Sequence, residues 1–241
     1  MFTETEGLNE LISYFEEATT LTQTVQCNFR HHVAAPGDIA EVRRPGDTPI
    51  RVSLSERLWG SCFIGYEDTS RPPSFLMEMY LKPLVEDFAR NLDNFIVTET
   101  YKAIVNQDHS PYMPRLTRDN VRVNLRQASR ILDNHGAPSS QRSLIYSPRT
   151  EIEVMIAGGC GTNGFLECMS FADTFDTGMS LAWQRTAVVI AMRPPRQSNN
   201  KYMSMYIEQE PNGYRVIVDA LIGLVLDNSM WAIVFDGGEQ C

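Results

Sequence analysis

The stretch Ser70 to Asn106, SRPPSFLMEMYLKPLVEDFARNLDNFIVTETYKAIVN, constrains the fold more than any other. Leu81, Leu84, Val85, Phe88, Leu92, Phe95 and Ile96 recur at steps of three and four, the spacing that stacks side chains on one face of a helix. Lys82, Glu86, Asp87, Arg90, Asp93 and Asn94 take the opposite face, so the stripe is expected against a sheet and the other side toward water or a neighbouring subunit. Pro72 and Pro73 suit a first turn, whose amide hydrogens lack partners in any case. Pro83 does not, and the regular helix is expected either to start near Tyr80 or to bend there.

A helix of this length needs a body to lie on. The chain has 241 residues, 43% of them hydrophobic, enough for one large domain or two lobes. No apolar run approaches the length that crosses a bilayer, and the acidic start MFTETEGLNE is unlike a secretory signal, which places the chain inside a cell. Cys27, Cys62, Cys160, Cys168 and Cys241 form an odd set without close pairs and are expected as reduced thiols. A net charge of −9 argues against holding nucleic acid by broad neutralisation of phosphates, though not against a container around it.

Residues 1 to 25 carry Leu8, Leu11, Ile12 and Phe15, a short amphipathic pattern that fits a small helix or an arm lying on another surface. From Val25 to Asp68 the chain is rich in β-branched and aromatic residues, with turns at Pro36-Gly37 and Pro45-Gly46-Asp47, and reads as two or three long strands. Ile50, Val52 and Leu54, then Trp59 and Phe63, suggest a ribbon with one apolar face that a second chain would cover. Beyond the long helix, a second helix is expected with Thr117 as its cap, Val121, Leu125, Ala128, Ile131 and Leu132 as its stripe and Gly136 as its stop. A strand at Ser143 to Tyr146 then leads to a helix capped by Ser147 with Pro148 at its first position. Further strands are expected at Phe165 to Met169, Thr186 to Met192, Lys201 to Gln209, Arg215 to Leu226 and Met230 to Phe235; the fourth could be helix, but its valine and isoleucine content and Gly223 favour strand.

Chemistry finds little support. Cys27, His31 and His32 are close in sequence, but adjacent strand residues point to opposite faces, so no metal ligand is assigned. Gly158 to Gly164 is similar to a phosphate-cradling loop yet lacks its Lys-Ser/Thr end, and reads as a flexible connector. No Ser or Cys stands in a Gly-x-Ser-x-Gly setting, and His109 and His135 sit beside loops. Glu86 with Asp87, or Asp173 with Asp176, could pair as carboxylates, although such acids are ordinarily solvated or matched by arginines. No catalytic, cofactor-binding or metal residue is therefore named, and no cofactor is expected. The basic group Arg43, Arg44, Arg51 and Arg57 is either the wet side of a hairpin or a subunit contact, and with Trp59 and Phe63 it forms the candidate contact set.

The order of these pieces resembles the major capsid proteins of tailed phages, the Hong Kong 97 or HK97-like fold. RVSLSERLWGSCFIGYED running into PLVEDFARNLDNFIV is similar to that family's extended-loop strand and spine helix. ASRILDNHGAPSSQRSLIYSPRTEIEVMI is similar to its segment of helix, Gly-x-Pro, Arg, strand and Pro. AWQRTAVVIAMRPP with GYRVIVDALIGLVLDNSMWAIVFDG is similar to its closing strands. The likeness spans roughly residues 20 to 238 and rests on order and pattern. It implies an α+β fold with an N-terminal arm (1–25), an extended β-hairpin loop (26–68), a peripheral domain with spine helix and β-sheet (69–116 and 183–241) and an α/β axial lobe (117–182). It implies a non-enzymatic protein that assembles with copies of itself into hexamers and pentamers of an icosahedral shell around phage double-stranded DNA, without sequence-specific binding. Portal, scaffolding or cement proteins are further implied partners, no membrane is implied, and the location is the virion, with assembly in the host cytoplasm. The alternatives are an encapsulin-like compartment shell and, with less support, an α/β enzyme.

Overall fold

A computed structural model of the chain describes residues 26–29, 39–42, 50–106, 112–159, 161–170, 179–195 and 203–235. Helical backbone runs without a break from Pro73 to Val105, with Pro73 in the first turn. Met77–Leu81 forms a wider π turn, after which the regular helix α1 (Lys82–Val105, 24 residues) extends for about 36 Å. Pro83 offers no N–H to the carbonyl four residues back and its ring crowds that carbonyl, so the wider turn falls just ahead of the proline instead of a late start. Leu84, Val85, Phe88, Leu92 and Ile96 are buried as the periodicity requires. Asp93, expected in water, is buried too: it lies one turn from Ala89 and Ile96, both in the core.

Twelve strands follow the chain among the described residues. They are β1 (Gln26–Phe29), β2 (Ile39–Val42), β3 (Ile50–Ser53), β4 (Glu56–Gly65), β5 (Tyr112–Met113) and β6 (Arg142–Tyr146). The remainder are β7 (Glu167–Ser170), β8 (Ser180–Gln184), β9 (Val188–Arg193), β10 (Ser204–Glu210), β11 (Gly213–Leu226) and β12 (Ala232–Phe235). Two further helices are α2 (Val121–Asn134) and α3 (Pro148–Ile156). The chain divides into two compact units, with α1 contributing residues up to Phe95 to the first and from Ile96 to the second.

The first unit holds residues 27–95 and 190–224. Its sheet has the order β1-β9-β11-β10, and β11 also pairs antiparallel with β4 along its other edge, from Gly213↔Gly65 to Ile222↔Glu56. Within the stretch expected as one extended hairpin, β2 and β3 pair with each other, while the ten residues of β4 belong to the body sheet. Val52 and Leu54, expected to await a second chain, are buried within their own. Gly223 makes this possible: a Cβ there would overlap the Ser53 carbonyl, so only glycine lets the foot of the hairpin seat against β11.

The second unit holds residues 96–189 and 225–241. Its sheet order is β5-β12-β8-β6-β7, with β8 antiparallel to both β6 and β12, and with β6 and β7 parallel. Val225 onward falls in this unit because β12 pairs with β8. The core joins Val121, Leu125, Ala128 and Leu132 of α2 to Leu144, Phe165, Ala182 and Phe235. Both helices end alike. Gly136 and Gly158 take left-handed backbone (φ 72° and 96°), Ala137 N–H donates to Leu132 O at 2.9 Å, and Gly159 N–H donates to Val154 O at 3.0 Å. The start of α2 differs from expectation: Asn120, not Thr117, is the cap position, and its side chain accepts from the Thr117 N–H at 2.8 Å. No helix among the described residues is long and apolar enough to cross a membrane.

Candidate subunit-contact surfaces

Alternation along β4 sorts the candidate contact residues. Gly60 and Ile64 turn into the body, while Arg57, Trp59 and Phe63 stand on the outer face, opposite Leu221, Asp219 and Arg215 of β11. Trp59 keeps 63% of its surface in solvent and Phe63 is exposed as well. Beneath them lies a polar floor. Asp219 is fully buried, accepts from the Ser204 hydroxyl and is ion-paired with the half-exposed Arg57. The hydrogen bond to Asp219 raises the Arg57 pKa above its already high value, so this guanidinium is a permanent cation. Arg215 is raised likewise by its bond to Glu210, and its Nη1 reaches Ser61 Oγ at 3.4 Å. On the inner face, burial pushes the Cys62 thiol up, which keeps it protonated and a poor nucleophile. Two aromatic rings over a floor whose charges are matched form a surface that can be covered without stranding an ion.

The structure thus gathers Arg57, Trp59 and Phe63 on one face. Arg51 is exposed on β3, while Arg43 and Arg44, like His31, His32 and His109, lie outside the described residues. The sequence reading missed a second apolar surface, on α3. Thr150, Val154 and Ala157 face the core, and Ile152 (66% exposed), Met155 (65%) and Ile156 form an outward stripe at steps of three and four. Leu166 is exposed as well. The signal was present in EIEVMIA, which is apolar on more than one side of a short helix.

Between α2 and β6 a buried arginine fixes the chain. Arg142, 1% exposed, donates from Nε to Pro138 O (3.0 Å), from Nη1 to Ser129 Oγ (3.2 Å), and from Nη2 to Asp133 Oδ1 (2.7 Å) and Ala137 O. Trp231 Nε1–H donates to His135 O at 2.9 Å, pinning the same loop. The Gly-x-Pro, Arg, strand pattern is a structural staple: one guanidinium satisfies carbonyls of the loop that follows the helix and ties that loop to Ser129 and Asp133 of α2. In the glycine-rich run, the Asn163 amide donates to Gly159 O at 2.7 Å and to Ala157 O at 3.3 Å. Cys168 is disulfide-bonded, against the expectation of reduced thiols, because the fold and not sequence spacing decides which cysteines meet; Cys62 is free. Among the described residues no cluster of His, Cys, Asp or Glu is placed to hold a metal ion.

No protein-family model and no curated protein matches the chain. Solved structures do. A virus-like particle from Pyrococcus furiosus aligns over 94% of this chain and 96% of its own at 12% identity, with a TM-score of 0.62. The capsid of cyanophage P-SCSP1u aligns over 90% and 87% at 11% identity with a TM-score of 0.64, and Mycobacterium phage Bobi over 91% of each chain at 13% and 0.59. The chain has the HK97-like capsid fold, an α+β fold with a long helix and sheets.

Proposed function

We propose, from this capsid fold, that the chain is a structural shell subunit that assembles with copies of itself. One observation carries the reading: the likeness to capsid and particle subunits spans nearly the whole of both chains, so the fold as a whole is shared rather than one motif. The exposed rings of β4 and the outward stripe of α3 support it, since large apolar side chains grouped on a surface favour burial by a partner. In this reading the first unit, with the first half of α1 and the β4 sheet, is the peripheral domain and the second is the axial domain. Hexamers and pentamers close an icosahedral shell around double-stranded DNA, in a virion assembled in the host cytoplasm, and the protein performs no catalysis. Arg51, Arg57, Trp59 and Phe63, with Arg43 and Arg44, line contacts between copies.

Negative-stain electron microscopy of the purified full chain tests this. Closed particles are expected, and single chains at high concentration would refute it. A second reading, a compartment around other cargo, draws on the neighbour described as a virus-like particle. Nuclease-protected DNA inside the particles selects the phage shell, and co-purified protein selects the compartment.

A further inference from the structure

Helix α2 carries a charge pattern that the shell reading does not use. Arg115, Arg118, Arg122, Arg126 and Arg130 are five of the chain's 21 Lys and Arg residues, packed into 16 positions whose only acid is Asp119. All five are exposed. On α2 itself, Arg122, Arg126 and Arg130 repeat every four residues on the face opposite the buried Val121, Leu125, Ala128 and Leu132. Among the described residues none of the three has a carboxylate within ion-pairing distance, although the chain as a whole carries −9. Like charges at this spacing repel, costing a helix about 0.2–0.5 kcal/mol per pair, and an acid one turn away would remove the cost. Asp119 and Asp133 lie one turn from Arg122 and Arg130 but pair with neither, Asp133 being held by Arg142, whereas along α1 Lys82 pairs with Glu78 of the preceding turn, Arg90 with Asp87 and Lys102 with Glu99.

We propose that the arginine row of α2 binds the phosphate backbone of nucleic acid, independent of sequence. The alternative occupant is an acidic face on a second copy. On the longest helical face available for that role, Asp87 and Glu99 of α1 and Glu78 just before it already have bases of their own. From Arg122 to Arg130 the helix rises about 12 Å, which matches three to four phosphates of one strand at about 3.4 Å of axial rise each. A guanidinium suits this role, because its planar fork meets two phosphate oxygens at once. The inference rests on the shell reading for the source of the nucleic acid, which would be the packaged genome. The binding itself is measurable on the chain outside a shell.

The test titrates the full chain, kept dilute enough to stay unassembled, onto a short fluorescent DNA duplex of mixed sequence over a series of salt concentrations. The variant is Arg122→Gln/Arg126→Gln/Arg130→Gln, and the control Lys82→Gln/Arg90→Gln/Lys102→Gln changes the net charge equally. The expected result is a fall of about 2.7 in the slope of log affinity against log salt, about 0.9 per lost phosphate contact, with at least roughly tenfold weaker binding at low salt. The control should retain the slope of the unsubstituted chain. An unchanged slope in the α2 variant, or no duplex binding by the unsubstituted chain at low salt, overturns the proposal. Loss of particles in the α2 variant with its slope unchanged also overturns it, and assigns the row to a second copy. Absence of particles from the unsubstituted chain bears on the shell reading, which the slopes do not depend on.

Discussion

The outer faces of α1 and α2 treat charge in opposite ways. On α1 each base named above has an acid one turn away, so that face is settled within the chain. On α2, among the described residues, Arg122, Arg126 and Arg130 form no ion pair: Asp119 stays out of reach of Arg122, and Asp133, one turn from Arg130, holds Arg142 instead. The difference teaches that net charge describes a chain and not its surfaces: a chain of −9 still presents a locally cationic strip that forms no ion pair among the described residues. It also separates arginines that hold the fold from those that do not.

That separation can be broken by stability measurements. Arg142→Met leaves the buried carbonyl of Ala137 and that of Pro138 without their donor and should lower the unfolding free energy in urea by about 3–5 kcal/mol. A loss under about 1 kcal/mol would mean that the staple is dispensable. Arg57→Ala strands the buried Asp219 carboxylate with Ser204 and should cost about 2–3 kcal/mol, below the roughly 3–5 kcal/mol of a fully buried pair because Arg57 is half-exposed. Adding Asp219→Asn should recover much of that loss, and failure to do so would show that packing of the arginine stem dominates. Arg126→Gln should instead stabilise, by about 0.4–1 kcal/mol, by relieving repulsion on both sides. A clear loss there would reveal an internal partner and end the contrast between the helices. Lys102→Ala on α1 should cost about 0.3 kcal/mol, as expected for an exposed pair with Glu99.

How much of this was legible beforehand depended on how local each signal was. The stripe of α1, the glycine stop of α2, the Ser-Pro start of α3 and the strand nature of β11 follow from periodicity and from backbone chemistry within a few residues. The pairing of β4 with β11 joins residues about 160 apart in sequence, and nothing near Trp59 announces it. Strand β8 was missed because all five of its residues are buried, which removes the alternation that would mark it. Asp93 and Asp219 were unreadable for a related reason: a buried acid is recognised by partners that only the folded chain supplies. Of the contact set, Trp59 and Phe63 could be seen as apolar residues alternating on a strand, whereas the α3 stripe resembled a second core face. The arginines of α2 were all in view, but the row becomes notable only when the fold shows that the nearby Asp133 is taken by Arg142.

The central claim is that this chain shelters its exposed apolar faces against copies of itself. Sedimentation velocity of the full chain beside Trp59→Ser/Phe63→Ser/Ile152→Ser/Met155→Ser tests it most directly. The unsubstituted chain should sediment as large closed particles and the variant as folded single chains. A variant that assembles like its parent, or a parent that stays single at high concentration, would contradict the account.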